Sequence, residues 1–161
     1  MTIPKLYCKK YVFLLLKPNC RFCFENDMKD TGLSYWTTKP NCFLVATSEA
    51  QPHQIFGCGG YKPLDQNTIE VTRLQVARKA RRLGVAKHLM KRLFQHAKGN
   101  GYTTVYLNTI NSQVPAIKMY HKMGFQMLRK TWYLEGLSKY LLPFSGLQQF
   151  HFLHDLKDVS I

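Results

Sequence analysis

From Val71 to Leu134 the chain has no aspartate or glutamate in 64 residues, yet it carries 13 lysines and arginines there. The rest of the chain holds 10 basic and nine acidic side chains, so almost all of the net charge of +14 belongs to this acid-free segment. That absence excludes a balanced ion-pair surface over the segment and points to an anionic partner, because a field of one sign draws counter-charge over about 8 Å at physiological salt. A phosphorylated cofactor, a nucleic acid and an anionic membrane surface all answer that description, and a solubilising face is the plain alternative. The chain also lacks a long apolar run. "YVFLLL", Tyr11 to Leu16, falls far short of the ~20 residues that cross a bilayer. No small-residue cleavage site follows it, and Lys17, Asn19 and Arg21 come at once, which excludes an ordinary signal peptide.

A cysteine framework is missing too. The five cysteines at positions 8, 20, 23, 42 and 58 make an odd count. Cys20-x-x-Cys23 lacks the second pair that a zinc ribbon needs, and no nearby His pair replaces it. Reduced thiols and no metal is the reading. Solenoid-period repeats and low-complexity tracts are likewise lacking.

What remains is a 161-residue chain with 45% apolar residues, enough for one domain with a sizeable core. Residues 1–24 are basic, apolar and irregular. Asn26 or Asp27 is placed to cap a helix running to about Thr37. "NCFLVATSE" and "IFGCGGYKPL" read as an antiparallel hairpin, the glycines of the second strand marking a bulge or a close backbone approach. Ile69 to Val76 is a third strand. From Gly84 the positions Val85, Ala86, Leu89, Met90, Leu93, Phe94 and Ala97 recur at helical spacing, and "KGNG" ends that helix. A strand "YTTVYLNTI" follows, then a short helix marked by Ala116, Ile117, Tyr120 and Met123. Two more strands, "FQMLRKTWYL" and "LQQFHFLHDL", are separated by the break "PFSG". This order predicts an α/β domain with a mixed sheet.

The stretch "RRLGVA" carries the most chemistry. The first N–H groups of a helix have no intrahelical partner and bear partial positive charge. Arg81 and Arg82 add full charge, Gly84 gives access to the backbone, and Val85 and Ala86 open the helix. These are the parts of a phosphate site, although a plain strand-to-helix turn with incidental arginines would use the same letters.

The flanks add to this. Glu70-Val-x-Arg-Leu-x-Val76, then Arg81-x-x-Gly84-x-Ala86 and an amphipathic helix, resembles the GNAT superfamily of acyl-CoA-dependent N-acyltransferases. "AIKMYHKMGF", Ala116 to Phe125, resembles that superfamily's second signature, in the expected order. "DMKDTGLSYW", "NCFLVATSE", the "GCGG" strand and "FHFLHDL" are similar to the camello-type (N-acetyltransferase 8-like) branch, over roughly Asn26 to the C-terminus. The resemblance implies a mixed, mostly antiparallel sheet with a splayed central strand pair flanked by helices. It divides the chain into residues 25–161 as the N-acetyltransferase domain and residues 1–24 as what a membrane region would leave. That branch normally carries a long hydrophobic region ahead of the domain, and an endoplasmic-reticulum or Golgi membrane is the implied location; a chain complete as given would be cytoplasmic. The superfamily's first strand and first helix are not recognisable here.

The resemblance implies acetyl-CoA as co-substrate, its pyrophosphate held by the loop Arg81, Arg82, Leu83, Gly84, Val85 and Ala86. Backbone groups of Leu74 and Val76 would pair with the pantetheine arm as with another strand. Acetyl transfer to an amine, either a protein lysine or a small amine such as an amino-acid conjugate, requires an acceptor freed of its proton, hydrogen-bond donors for the oxyanion and an acid for the departing thiolate. No metal is needed. Glu70 occupies the position of the base. Nearby cations would depress its pKa and burial would raise it; a strand-end salt-bridge partner is the alternative role. His121 and Asp65 are weaker candidates. Tyr120 is the acid, since a phenol of pKa near ~10 stays protonated at neutral pH; otherwise it is a core aromatic. Gln113 stands where many members carry a cofactor-touching Asn, or it caps the helix. His151 and His154 fall near the end of the last strand and could line a site, although satisfied strand histidines are the commoner case. Two other readings stay open: a basic nucleic-acid or anionic-membrane module, for which no nucleic-acid motif appears, and an acyltransferase fold that binds CoA without turnover.

Overall fold

The structure, a computed structural model, describes residues 6–7, 41–48, 50–132 and 148–158. The helix expected from Asn26 or Asp27 to Thr37 and the break "PFSG" lie outside the described residues. The strands are β1 (Leu6–Tyr7), β2 (Cys42–Ala46), β3 (Gly57–Pro63), β4 (Thr68–Val76), β5 (Thr104–Ile110), β6 (Gln126–Trp132) and β7 (Gln148–Asp155). The helices are α1 (Val85–Gly99) and α2 (Val114–Lys122), with 3₁₀ turns at Arg78–Ala80 and Leu156–Asp158.

All seven strands join one sheet in the order β1-β2-β3-β4-β5-β7-β6. The pair β4–β5 is parallel and the other neighbours are antiparallel. This is the mixed, mostly antiparallel architecture expected of the acyl-CoA N-acyltransferase fold. β1 is a finding that the sequence does not announce: Leu6 and Tyr7 pair with Ala46 and Val45, and two residues are too few to show strand alternation.

β2 explains why its apolar run is continuous. Cys42, Leu44 and Ala46 enter the main core, whereas Phe43 and Val45 join Cys58 and Ile55 in a second cluster. Successive strand side chains point to opposite faces, so both faces of β2 are covered. The main core lies between the sheet and the helices. Ile69 and Val71 of β4, Val105 and Leu107 of β5, and Phe152 of β7 meet Val85, Leu89, Met90, Leu93, Phe94 and Ala97 of α1 and Tyr120 of α2 there. Each such buried side chain contributes about 1.5–3 kcal/mol relative to exposure. The intervening residues Glu70, Tyr106, Asn108 and His151 therefore face the other side of the sheet.

The glycines of β3 are used for close approach. A Cβ on Gly57 would lie 2.8 Å from the carbonyl oxygen of Gln75, and one on Gly59 would lie 3.0 Å from Cδ1 of Leu74. The bulge anticipated here sits with its extra residue in β4: Cys58 pairs with Gln75 and Gly60 with Thr72, so Arg73 and Leu74 together oppose Gly59. Arg73 takes φ 57 to accommodate it.

Candidate functional site

The ladder between β4 and β5 has three rungs, Thr68–Thr104, Ile69–Val105 and Glu70–Tyr106. Beyond Glu70, β4 continues to Val76 alongside β3; beyond Tyr106, β5 continues to Ile110 alongside β7. The two central strands thus splay apart immediately after Glu70. The bulge at Arg73 and Leu74 lies on the diverging part of β4, and Leu74 and Val76 pack partly buried side chains against the main core.

At the end of β4 the chain turns through Arg78–Ala80, with Ala80 buried, and reaches Gly84 at the N-cap of α1. Gly84 has φ 78, no side chain caps the helix, and its first turn contains no acid. The first intrahelical bond is from His88 N–H to Gly84 C=O, so the amides of Val85, Ala86 and Lys87 precede the helical ladder. A Cβ on Gly84 would meet nothing within 4 Å, which means the backbone here is open to an approaching group. Arg78, Lys79, Arg81, Arg82 and Leu83 are exposed around it. Arg82 adopts φ 64, a left-handed conformation costing about 1–3 kcal/mol in a non-glycine residue and typical of functional loops. Positive partial charge, cationic side chains and uncapped donors converge at this corner.

Glu70 stands at the mouth of the splay, half-buried. Asn108 Nδ2 donates to its Oε1 at 3.0 Å. Burial pushes the carboxyl above its ordinary value, against the pull of Lys62, the Asn108 hydrogen bond and Arg73. Desolvation therefore outweighs the surrounding cations, which is the balance that composition left undecided. Tyr120 projects from α2 on the helix side of the sheet. Its ring lies 5.7 Å from those of Phe125 and Phe152, and burial pushes its hydroxyl up to about 12. It is both a core aromatic and a phenol that stays protonated. Gln113 occupies the N-cap position of α2, exposed, and its side chain makes no capping bond, so the capping role considered for it is not used.

The weaker candidates lie elsewhere. Asp65 is exposed in the β3–β4 turn, where its Oδ1 accepts from the amides of Asn67 and Thr68. His121 is exposed on α2 and meets the Phe152 ring edge-on at 5.3 Å, on the face of the sheet opposite Glu70. His154 Nδ1 is 3.1 Å from the carbonyl oxygen of Gly124, its ring stacks on Phe94, and its Nε2 is buried without a partner. It anchors the turn after α2, where Gly124 has φ 86.

The sequence does not single out Tyr106, Asn108 and Thr131, on the Glu70 face of the sheet, and His151 stands out there only as a strand histidine. The Tyr106 hydroxyl is hydrogen-bonded to Nδ1 of His151, and Nε2 of His151 lies 2.7 Å from Oγ1 of Thr131. Asn108 hydrogen-bonds Glu70 and works against the burial that raises the Tyr106 hydroxyl. The available signal was the i, i+2 spacing of Tyr106 and Asn108 on a strand; that this strand lies next to Glu70 is a fact of pairing. Among the described residues, no group of three His, Cys, Asp or Glu is arranged to hold a metal, and no helix is long and apolar enough to cross a membrane.

Comparison with known proteins follows this geometry. Residues 10–125 match the acetyltransferase (GNAT) family profile. The chain is 35% identical over 122 residues to human N-acetyltransferase 8B, covering 71% of this chain and 52% of that protein. It is 33% identical over 160 residues to rat N-acetyltransferase family 8 member 2, covering 96% of this chain and 67% of that one. The chain thus spans about half the length of the human relative. Among solved structures, a GNAT family acetyltransferase from Elizabethkingia anophelis with acetyl-CoA bound superposes with a TM-score of 0.61 at 21% identity, covering 81% of this chain and 82% of that one.

Proposed function

Because this chain belongs to the acetyltransferase (GNAT) family, in its N-acetyltransferase 8 (camello-type) branch, we propose that it moves the acetyl group of acetyl-CoA to a primary amine. The observation that carries this reading is the juxtaposition of the β4–β5 splay, which ends at Glu70, with the acid-free, uncapped start of α1. Acetyl-CoA would supply an activated acetyl thioester. The amides at the start of α1, with Arg81 and Arg82, suit its pyrophosphate, and the backbone of Leu74 and Val76 suits its pantetheine arm.

Glu70 then takes a proton from the acceptor ammonium and becomes neutral, leaving the amine lone pair to form the new C–N bond as the C–S bond breaks. A carboxyl whose pKa is raised by burial is better matched to that task than an ordinary one. Tyr120 donates its hydroxyl proton to the departing sulfur from the opposite face of the sheet, and the second proton that the nitrogen sheds as the amide forms passes to solvent, from which Tyr120 is reprotonated. A protein lysine and a small amine such as an amino-acid conjugate are both acceptors of the right chemistry. Attachment to an endoplasmic-reticulum or Golgi membrane, implied by the branch, is the location we propose for the whole protein.

Calorimetric titration with acetyl-CoA beside an inorganic diphosphate control tests the cofactor site. Mass spectrometry of an amine panel containing lysine peptides and free amino-acid derivatives tests the transfer. Binding of acetyl-CoA with an acetylated amine is the expected result. Binding without product from any amine would reduce the reading to a CoA-binding fold. Duplex DNA binding with a steep salt dependence and no CoA affinity would replace it.

A further inference from the structure

On the face of the sheet that carries Glu70, polar side chains from four adjacent strands line up. Asn108 of β5 donates to Glu70 Oε1 at 3.0 Å, and its amide, two residues along the same strand face from Tyr106, works against the burial that raises the Tyr106 hydroxyl. The Tyr106 hydroxyl bonds Nδ1 of His151 on β7, whose Nε2 lies 2.7 Å from Oγ1 of Thr131 on β6. Pairing explains the alignment, since Glu70 is opposite Tyr106, Asn108 is opposite His151, and His151 is opposite Arg129, two residues before Thr131.

One donor order satisfies every link. An amide nitrogen has two hydrogens; Asn108 places one on Glu70 and has the other to offer the Tyr106 oxygen. The Tyr106 O–H is then committed to Nδ1 of His151, and Nε2–H of His151 points to Thr131. This order requires a neutral imidazole, and His151, buried with Arg129 nearby, is pushed toward the neutral form. The only carboxylate in the run, Glu70, lies at its accepting end.

Resting on the proposed role of Glu70 as base, we propose that the second Asn108 hydrogen goes to the Tyr106 oxygen and that Asn108, Tyr106, His151 and Thr131 are thereby positioning residues: they fix Oε1 of Glu70 and leave Oε2 to face the acceptor amine. Without the run, an exposed Asn108 side chain would hold the carboxylate with only one of its two hydrogens anchored. Asn108 is thereby restrained from rotating, and its donation lowers the affinity of Glu70 for a proton. The charged and titratable groups around Glu70 are Lys62 from β3, Arg73 from β4 and Tyr106 from β5, with Arg129 of β6 near Tyr106 and His151.

The test reads Glu70 directly and needs no acceptor: ¹³C NMR titration of its side-chain carboxyl in protein saturated with CoA. Asn108→Leu, at an exposed site, should fold and move the Glu70 midpoint upward by about one pH unit, as expected for loss of a hydrogen bond to a charged group. Tyr106→Phe should move it in the same direction by less, and His151→Gln, which can still accept from Tyr106 and donate to Thr131, should leave it near the wild type. An unmoved midpoint in Asn108→Leu, or Tyr106→Phe indistinguishable from wild type, would overturn the assignment even if catalysis by Glu70 stands. Where an amine substrate has been found, Tyr106→Phe should lower kcat about tenfold with the KM for acetyl-CoA unchanged. A normal Asn108 effect on the midpoint in an enzyme whose Glu70→Gln variant is fully active would instead refute Glu70 as the base.

Discussion

Replacing Gly84 by alanine separates backbone strain from ligand contact, because the helix it begins offers its own control. Gly84 at the start of α1 has φ 78 and Gly101 just past its end has φ 87, and a Cβ at either would meet no atom within 4 Å. Neither alanine collides with the protein, so both variants pay only the left-handed conformational cost of about 1–2 kcal/mol. In a chain of this size that lowers Tm by roughly 2–8 °C. The two methyl groups differ in what lies outside them. At Gly84 the new methyl adjoins the N-terminus of the helix, whose first amides lack intrahelical partners; at Gly101 it adjoins the helix C-terminus, where no anion is favoured. If those amides grip the pyrophosphate, displacing it weakens hydrogen bonds to a charged group by about 1.5–3 kcal/mol, which is a 10- to 150-fold rise in Kd. Isothermal titration with acetyl-CoA, run beside thermal melts, should show equal stability losses and a weakened Kd for Gly84→Ala alone. Equal Kd values for the two variants would refute the site at this corner.

Glu70→Gln should lower kcat about 10²- to 10⁴-fold with little effect on the KM for acetyl-CoA, read by thiol release. Because burial raises the Glu70 carboxyl, the acid limb of kcat/KM should lie above the ordinary carboxylate range. The same shift has a stability consequence: a carboxyl whose folded pKa is raised favours the folded state at low pH and loses that contribution as pH rises through the folded value. Glu70→Gln should therefore gain stability relative to wild type at neutral pH, and the gain should vanish below the ordinary carboxylate pKa in pH-dependent denaturation. Tyr120→Phe keeps the ring between Phe125 and Phe152, so Tm should hold while kcat falls about 10- to 100-fold; a fall in both would make Tyr120 a core residue only. Gly57→Ala places a Cβ against the backbone oxygen of Gln75 and should cost about 1–3 kcal/mol in chemical denaturation.

Much of this architecture was readable because it is local. The spacing of Val85, Ala86, Leu89, Met90, Leu93, Phe94 and Ala97 fixes α1 and its buried face, and all but the partly buried Ala86 are buried in the structure. Gly84 and Gly101, both in left-handed conformation, mark its two ends. The strands β2, β3, β4, β5, β6 and β7 fall within a few residues of their expected places. β1 was not visible in two residues, and the 3₁₀ turn at Arg78–Ala80 was hidden among surface cations. The β3 glycines signalled a bulge or a close backbone approach, and both occur: the extra residue of the bulge lies in β4, and Gly59 is small because Leu74 across from it needs the room.

The acid-free segment, the arginine-flanked glycine and the helix that follows are written in consecutive residues, so the chain by itself determined where an anion would be drawn and which turn would receive it. Where β4 and β5 part is a different kind of fact. It depends on residues some 36 positions apart, Glu70 and Tyr106, meeting in one last rung, and strand pairing carries no local sequence signal. Only the folded sheet decided that Glu70 is sheltered enough for burial to outweigh Lys62 and Arg73. The same sheet stacks Asn108, Tyr106, His151 and Thr131 on one face, because desolvation and cross-strand hydrogen bonds exist only once distant strands lie side by side.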